Sequence, residues 1–226
     1  RYKRCLLRRV DRRAAAVVVN ARAVEEFVLR SGVPAARMVR IPNLLDLEEF
    51  DRLAARPAPG PLPTGRLIGM VARLDPEKDA GLLVRAFGEL AAALPDTALV
   101  LAGEGSQRAA LEAEVARQPW GGRVRFLGEV TDVPALLRRL EVAALVPAAN
   151  EGLSNSILEY MAAGLPVVAT DCGGNRELLE PTGAGWVVAR GDAAALAAAL
   201  RRLLEQPGEA RAMGRRGRAQ VAAEHA

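Results

Sequence analysis

Short runs of apolar residues alternate along this chain with segments in which apolar residues recur every three or four positions. Apolar runs between turn residues are typical of buried strands, and the longer period is typical of amphipathic helices. The pattern predicts strands at 14–20, 39–41, 67–71, 98–102, 124–127, 142–146, 167–170 and 185–188. It predicts helices at 2–13, 21–31, 79–94, 106–117, 132–139, 173–179, 192–205 and 207–226, and a further one within 151–163. This alternation predicts an α/β fold with a parallel sheet covered by helices on both faces.

One segment interrupts the alternation. Residues 56–65 contain four prolines and two glycines. Proline fixes φ and lacks a backbone N–H donor, which excludes a helix interior or an inner strand. We therefore predict a linker over 51–65, a main domain over 66–226 and a separate part over 1–50.

The net charge of +4 is unevenly distributed. Seven of the first 13 residues are Arg or Lys, opposed only by Asp11, so the rest of the chain is slightly acidic. We interpret this basic segment as a solvated helix face, with contact to an anionic membrane surface as the alternative. Nucleic-acid binding is disfavoured, because Tyr2 is the only aromatic residue between these cations.

The two cysteines, Cys5 and Cys172, are far apart in sequence, which disfavours a disulfide framework or a cysteine metal site. A reducing, cytoplasmic environment fits this composition. No apolar run approaches the length of about 20 residues that a membrane-spanning helix needs, and no secretory signal is visible. Because the chain begins with Arg1, we expect it to be part of a longer protein.

Candidate binding residues follow the predicted strands, at the edge where open parallel sheets bind ligands. Arg73 and Lys78 follow the third strand and suit phosphate oxygens, although two surface cations beside acidic residues are the alternative. The fourth strand is followed by G-E-G-S beginning at Gly103, which suits close approach of a ligand or a tight turn. Val130 follows the fifth strand, where backbone groups are placed to read the edge of a nucleobase.

The segment after the sixth strand is the most informative. Glu151 and Glu159 stand eight positions apart, with Gly152 and small polar residues between them. Ser156 and Glu159 have the S-x-x-E spacing of a capping box, so the alternative is that Glu159 only caps a helix that begins at Ser156. The N–H groups of residues 153–156 would otherwise suit a diphosphate, and the carboxylates would suit sugar hydroxyls.

Four blocks occur in order along the chain: G-M-V-A-R-L-D-P-E-K, L-V-L-A-G-E-G, V-R-F-L-G-E-V and E-G-L-S-N-S-I-L-E-Y-M-A-A-G-L-P-V-V-A-T. Over residues 66–215 they resemble the C-terminal donor-binding domain of retaining GT-B glycosyltransferases, group 1 or family 4. The resemblance implies a Rossmann-like sheet that forms the C-terminal half of a GT-B fold. It also implies sugar transfer from a UDP-, GDP- or other nucleoside diphosphate sugar, with retention of anomeric configuration, in polysaccharide or glycolipid synthesis.

The resemblance implies a role for each site residue. Arg73 and Lys78 would hold the diphosphate and Glu151 would contact the donor sugar, and these three would form the catalytic group. Glu159 would bind the ribose, and Val130 the base. The remaining implied donor contacts are Gly103, Gly152, Leu153, Ser154 and Asn155.

Residues 1–50 resemble the end of the family's N-terminal acceptor domain together with the interdomain hinge. I-P-N-L-L-D at 41–46 is similar to the usual P-N-G-V-D, with Leu44 in place of glycine, which implies a stiffer hinge. We expect most of that domain, with its site for an acceptor glycan or lipid-linked sugar, to lie outside this sequence. We therefore expect exposed apolar surface in 1–50 and an isolated chain that is inactive, and by analogy a position at the cytoplasmic membrane face.

No cofactor and no metal are expected, because D-x-D is absent and held cations can stabilise a diphosphate leaving group. His225, the only histidine, is expected at a frayed terminus and is a poor catalytic candidate. The alternatives are a sugar-nucleotide epimerase or phosphorylase of similar fold, or a nucleotide-sugar-binding fragment without turnover. An NAD-dependent enzyme is disfavoured, since Arg108 occupies the third glycine position of G-x-G-x-x-G.

Overall fold

The computed structural model describes residues 14–226, so the predicted helix at 2–13 lies outside the described residues. Two parallel sheets are present in this range. The small sheet pairs β1 (Val17–Val19) with β2 (Met38–Arg40). The large sheet contains β3 (Arg66–Val71), β4 (Thr97–Ala102), β5 (Val124–Gly128), β6 (Val142–Leu145), β7 (Val167–Thr170) and β8 (Gly185–Val188). The predicted strands are therefore confirmed in number and order.

The helices connect these strands. They are α1 (Arg22–Arg30), α2 (Leu47–Ala54), α3 (Ala80–Ala91), α4 (Arg108–Ala116), α5 (Val133–Leu137), α6 (Asn155–Ala162), α7 (Asn175–Leu179), α8 (Ala193–Glu205) and α9 (Pro207–Glu224). Short 3-10 turns occupy Ala35–Arg37, Pro76–Lys78 and Gly121–Arg123. Within residues 14–226, no helix has both the length and the apolar character that crossing a membrane requires.

Helix α2 is an element that the sequence did not predict. Asp46 caps it, since its carboxylate accepts a hydrogen bond from Glu49 N at 2.9 Å. Phe50 and Ala54 are its buried residues. The predicted linker over 51–65 is thus too long at its start, because residues 51–54 belong to this packed helix.

The core lies around the central strands of the large sheet. Every residue of β4, β6 and β7 is buried. Both faces of a parallel sheet are covered, which is why these strands are almost continuously apolar in sequence. The covering helices pack in pairs, α3 against α8 and α6 against α9, while α2 packs against α5.

The N-terminal segment is packed differently. None of the nine residues of α1 is buried. The large apolar side chains that the described residues expose all lie here: Val18 (61% exposed), Phe27 (59%), Val39 (44%), Ile41 (53%) and Leu44 (67%). The expected apolar surface is therefore present in the described part of 1–50.

A crevice for a ligand follows from the strand order, which is β5-β4-β3-β6-β7-β8 with all neighbours parallel. From β3 the chain progresses to β4 and β5 on one side, and from β6 to β7 and β8 on the other. β3 pairs with β4 over six residue pairs but with β6 over only two. The neighbouring strands β3 and β6 therefore separate toward their carboxyl ends, and such a switch point is where doubly wound sheets bind ligands.

Candidate functional site

The end of β3 is held by side chains from α6. Ala72 N donates to Ala102 O of β4, so the peptide groups of Val71 point to the opposite side, where β6 has already diverged. The Tyr160 hydroxyl accepts from Val71 N at 2.7 Å and donates to Val71 O at 3.2 Å. Ser156 Oγ also donates to Val71 O, at 2.9 Å. These hydroxyls replace the missing strand partner and fix the floor of the crevice against α6.

Tyr160 was not singled out from the sequence, although it directly follows Glu159. It is fully buried, and this burial raises the pKa of Tyr160. An apolar helix position predicts a core residue, and periodicity does not reveal that its hydroxyl completes a sheet. The available signal is that a buried tyrosine needs a hydrogen-bond partner.

The structure brings Lys78 and Glu151 into direct contact. Lys78 ends the 3-10 turn Pro76–Lys78, and its Nζ lies 2.6 Å from Glu151 Oε2. The lysine side chain is 20% exposed and the glutamate side chain 9% exposed. A backbone bond from Ala148 N to Glu77 O, at 2.9 Å, holds the two loops together. The two charges thus form a pre-assembled pair that is largely removed from water.

Arg73 remains accessible beside this pair. Its side chain is 70% exposed, and Nη1 lies 2.8 Å from Asp75 Oδ2. Asp75 is itself fixed, because its other oxygen accepts from Ser106 N at 3.0 Å and from Ser106 Oγ at 2.9 Å. These bonds from Ser106, with a smaller contribution from the Arg73 charge, hold the pKa of Asp75 below its ordinary value.

Gly103 has a packing role. Its N–H donates to Gly128 O at 2.7 Å and is therefore unavailable to a donor, although the resemblance implied a donor contact. Its φ of 134° is a conformation that L side chains rarely adopt, and a Cβ there would overlap the carbonyl oxygen of Ala72. Gly105 packs against the backbone of Leu74 in the same way. The G-E-G-S turn thus supports the loop that carries Arg73 from behind.

The start of α6 corrects the predicted capping box. The helix begins at Asn155, and its N-cap is Ser154, whose side chain accepts from Ile157 N at 3.4 Å. Ser156 is already engaged at the end of β3. Among residues 14–226 the Glu159 carboxylate has neither a hydrogen bond nor an ion pair, so it does not cap the helix. Burial raises the pKa of Glu159. Because this half-buried carboxyl group has no partner in the described part of the chain, a ligand could bind it.

The loop at residues 151–155, named the donor loop after the donor contacts that the sequence resemblance implies there, presents free amides. In the described part of the chain, the N–H groups of Gly152, Ser154 and Asn155 donate to no protein acceptor. The loop is held from one side by two glycines. Gly174 N donates to Gly152 O at 2.9 Å, and Gly173, at φ 58°, lies where a Cβ would overlap the carbonyl oxygen of Glu151. Free amides at a helix N-terminus are an arrangement that binds anions.

Two further sequence candidates have definite places. Val130 follows β5, half-buried against the core, and its peptide groups make no hydrogen bond with other described residues. His225 is not frayed, which corrects the sequence expectation: it is 6% exposed, and its Nδ1 lies 2.9 Å from Asn43 O. Among residues 14–226, no three His, Cys, Asp or Glu side chains cluster closely enough to hold a metal ion.

Comparison with known proteins identifies the family to which the chain is similar. The model of the family described as glycosyl transferases group 1 matches residues 51–220. The chain is 33% identical to a 2-deoxystreptamine glucosyltransferase of Streptomyces kanamyceticus, over 94% of this chain and 57% of that protein. It is also 33% identical to the lipopolysaccharide core biosynthesis mannosyltransferase LpcC of Rhizobium leguminosarum bv. viciae, over 94% of this chain and 60% of that protein. The chain therefore spans less than two thirds of these relatives.

Solved structures show the same architecture. The HepE protein of Anabaena, crystallised in complex with UDP-glucose, superimposes with a TM-score of 0.82 at 24% identity, over 96% of this chain and 61% of that one. This likeness confirms the predicted α/β fold with its GT-B-like arrangement of a parallel sheet between helices.

Proposed function

Because the chain belongs to the glycosyl transferases group 1 family, we propose that it is the donor-binding part of an enzyme that transfers a sugar from a nucleoside diphosphate sugar with retention of anomeric configuration. The observation that carries this proposal is the Lys78–Glu151 pair beside the free amides of the donor loop. Both follow the ends of the neighbouring strands β3 and β6, so a cation, an acid and free amides lie at the same edge of the sheet.

The diphosphate is the first group to place. Lys78 is neutralised by Glu151 before any ligand binds. An incoming diphosphate competes for the ammonium group, and the exposed Arg73 adds a planar fork of donors. The amides of Gly152, Ser154 and Asn155 complete an electropositive cradle that is built before the reaction starts. Such preorganised donors stabilise the negative charge that develops on the diphosphate as the glycosidic bond breaks.

Glu151 is the second element. Once the diphosphate pairs with Lys78, the Glu151 carboxylate is free to accept hydrogen bonds from hydroxyls of the donor sugar. The 2.6 Å contact with Lys78 holds that carboxylate in place until the donor arrives. Arg73, Lys78 and Glu151 are thus the three residues proposed to act closest to the reacting bond.

We propose that Glu159 binds the nucleoside part of the donor. Glu159 lies in the second turn of α6 and has no protein partner among residues 14–226, which suits a carboxylate that accepts from ribose hydroxyls. The unpaired peptide groups of Val130 are proposed to meet the base. No cofactor is needed for this chemistry, and we propose that the charge of the leaving group is balanced by Arg73, Lys78 and the amides without a metal.

The donor and acceptor are proposed at the level of class. The relatives are named as a glucosyltransferase and a mannosyltransferase, which favours a hexosyl donor. We propose UDP or GDP as its carrier. We propose an acceptor glycan or lipid-linked sugar. It would be bound with the help of an N-terminal acceptor domain, whose end residues 14–50 resemble. We propose that the enzyme is cytoplasmic, with peripheral contact at the membrane face.

A nucleotide panel tests the donor site. At a concentration of about 100 times its Kd, a nucleotide that binds only the folded state stabilises it by about 2.7 kcal/mol. We expect UDP or GDP to raise the melting temperature and ADP or TDP to do so less. If none of the four nucleotides raises it, the donor-site proposal is wrong.

Transfer of labelled sugar by the full-length protein tests the reaction. NMR of the product is expected to show the anomeric configuration of the donor. An inverted product would contradict the retaining mechanism. Epimerised nucleotide sugar formed without acceptor would favour the epimerase alternative, to which the names of the relatives give no support.

A further inference from the structure

Asn43 grips the donor loop from outside the main domain. It lies in the connection between β2 and α2, more than a hundred residues from the loop in sequence. Its Nδ2 donates to Leu153 O at 2.8 Å and to Asn155 Oδ1 at 2.6 Å. A side-chain amide nitrogen carries two N–H donors, so both are committed to the loop. Asn43 therefore spans the N-cap of α6 from one side to the other.

Asn20 completes the grip. It follows β1, and its Nδ2 donates to Asn43 Oδ1 at 3.1 Å. Its Oδ1 faces Leu153 N at 3.5 Å, a longer contact. The two amides are thus joined to each other while one faces the C=O and the other the N–H of the same residue. A Cβ at Gly152 would lie only 2.8 Å from Asn20 Oδ1, so the amide packs directly on the loop.

Asn43 is supported from behind by the end of α9. Its carbonyl oxygen lies 2.9 Å from His225 Nδ1. A carbonyl only accepts, so the proton resides on Nδ1 in this arrangement. His225 O in turn accepts from Leu45 N at 2.7 Å. The buried imidazole and these two bonds fix the connection on both sides of Leu44.

We infer that Asn43, assisted by Asn20, is a positioning residue that sets the direction of the donor-loop amides. The inference rests on the proposed function, because those amides are proposed to meet the diphosphate. Asn43 and Asn20 hydrogen-bond the C=O and the N–H of Leu153. These bonds also fix the neighbouring Gly152 and Ser154, whose own N–H groups remain free. Oriented donors need no rearrangement when charge develops, which is the condition for electrostatic preorganisation.

A consequence is that the conformation of the donor loop depends on the position of the N-terminal segment. Leu153 is bonded by Asn20, which follows β1, and by Asn43, which lies in the connection after β2. A shift of that segment relative to the sheet is transmitted to the amides through the Asn20–Asn43 bond. Donor binding and the placement of residues 14–45 are therefore coupled.

Two variants of Asn43 test the inference. Asn43→Ala removes the grip, and Asn43→Asp keeps the shape but places a carboxylate oxygen against Leu153 O. Leu44→Ala is the matched control, since Leu44 is 67% exposed on the same connection. We expect hydrogen exchange of residues 151–156 to become faster in both Asn43 variants and to stay unchanged in the control.

Affinity separates positioning from general loosening. By calorimetry, UDP and GDP are expected to bind the Asn43 variants at least tenfold more weakly, whereas UMP and GMP, which lack the second phosphate, change less than twofold. Equal losses for monophosphates and diphosphates, or unchanged hydrogen exchange in Asn43→Ala, would overturn the inference. Wild-type protein that binds none of these nucleotides would refute the proposed function instead, and the exchange measurement would still decide whether Asn43 holds the loop.

Discussion

Two regions of this molecule are built from the same unit and are buried to different extents. β1 and β2 are parallel neighbours joined by α1, as β3 and β4 are joined by α3. In α3 eight of twelve residues are buried, and in α1 none of nine. The strand–helix–strand unit thus forms from its local sequence pattern in both places. Its side chains are buried in a core only where further strands and helices cover it.

The difference bears on function. The large sheet holds its strand ends rigidly enough to place Lys78 against Glu151 and the Tyr160 hydroxyl against Val71. The N-terminal unit keeps apolar side chains on its surface and reaches the site through two asparagine amides. The large sheet therefore supplies the charged groups of the site, and the small unit adjusts the loop that carries the amides.

The largest contrast is expected in stability. Leu99→Ala in β4 removes a side chain that is fully buried, and should lower the free energy of unfolding by about 2–5 kcal/mol. Val39→Ala in β2 truncates a side chain that is 44% exposed, and should change it by no more than about 0.5 kcal/mol. Urea denaturation measures both. Comparable losses would mean that the small sheet is as well covered as the large one.

A second contrast separates a glycine that supports the site from one that does not. Gly173 and Gly191 both have positive φ, but a Cβ at Gly173 would overlap Glu151 O, whereas a Cβ at Gly191 meets open space. Both alanine variants carry a backbone strain of about 1 kcal/mol. Only Gly173→Ala is expected to displace Glu151 and lower nucleotide affinity by more than tenfold in calorimetry. Equal affinities in the two variants would show that the loop accommodates a methyl group.

A third contrast compares ion pairs of the two regions. Lys78→Ala leaves Glu151 as an unpaired acid in a poorly hydrated place and should cost about 2 kcal/mol of stability, with at least a tenfold loss of diphosphate affinity. Arg30→Ala breaks a pair with Glu26 whose side chains are 69% and 59% exposed, and should leave both quantities unchanged. Thermal unfolding and calorimetry give the two readouts. Retained affinity in Lys78→Ala would remove this lysine from the site.

The smallest effect is expected from pH. Burial raises the pKa of Glu159, so its carboxylate protonates at a higher pH than an ordinary glutamate. The native state then holds this proton more tightly than the unfolded chain, so stability decreases as pH rises from the ordinary carboxyl range through the raised pKa. Glu159→Gln should therefore be more stable than the wild type at pH 8.

Nucleotide affinity should respond in the opposite sense. If Glu159 binds the ribose, the wild type loses this acceptor as pH falls through the raised pKa of Glu159, whereas Glu159→Gln has no carboxyl to titrate there. Calorimetry should thus show a steeper loss of affinity toward acid pH in the wild type. Phosphate protonation affects both proteins alike, so parallel profiles would argue against ribose binding by Glu159.

Sequence periodicity predicted the large sheet well, because its strands are apolar on both faces and short connections separate them. It missed α2, whose signal was Asp46 before a helical pattern carrying Phe50 and Ala54. It also placed the start of α6 at Ser156, where a capping box fitted the spacing. The structure shows that this hydroxyl bonds Val71 O instead, a contact that depends on strands diverging elsewhere.

The charged part of the site was accessible from the sequence, since Lys78 and Glu151 each follow a strand of one sheet. Their direct contact was not, because it depends on how two loops fold toward each other. Asn20, Asn43 and His225 are distant in sequence and have no common motif, so only the packed chain brings them together. Local patterns predict elements, whereas partners across the fold follow from topology.

The most direct measurement is a crystal structure of the protein with whichever nucleoside diphosphate stabilises it most. We predict that the diphosphate lies between Lys78 and the amides of Gly152, Ser154 and Asn155, with Glu159 on the ribose. We also predict that Lys78 has moved from Glu151 toward phosphate while Asn43 still holds Leu153. A nucleotide bound elsewhere, or one that leaves the Lys78–Glu151 pair closed and the amides empty, would contradict the proposed donor site.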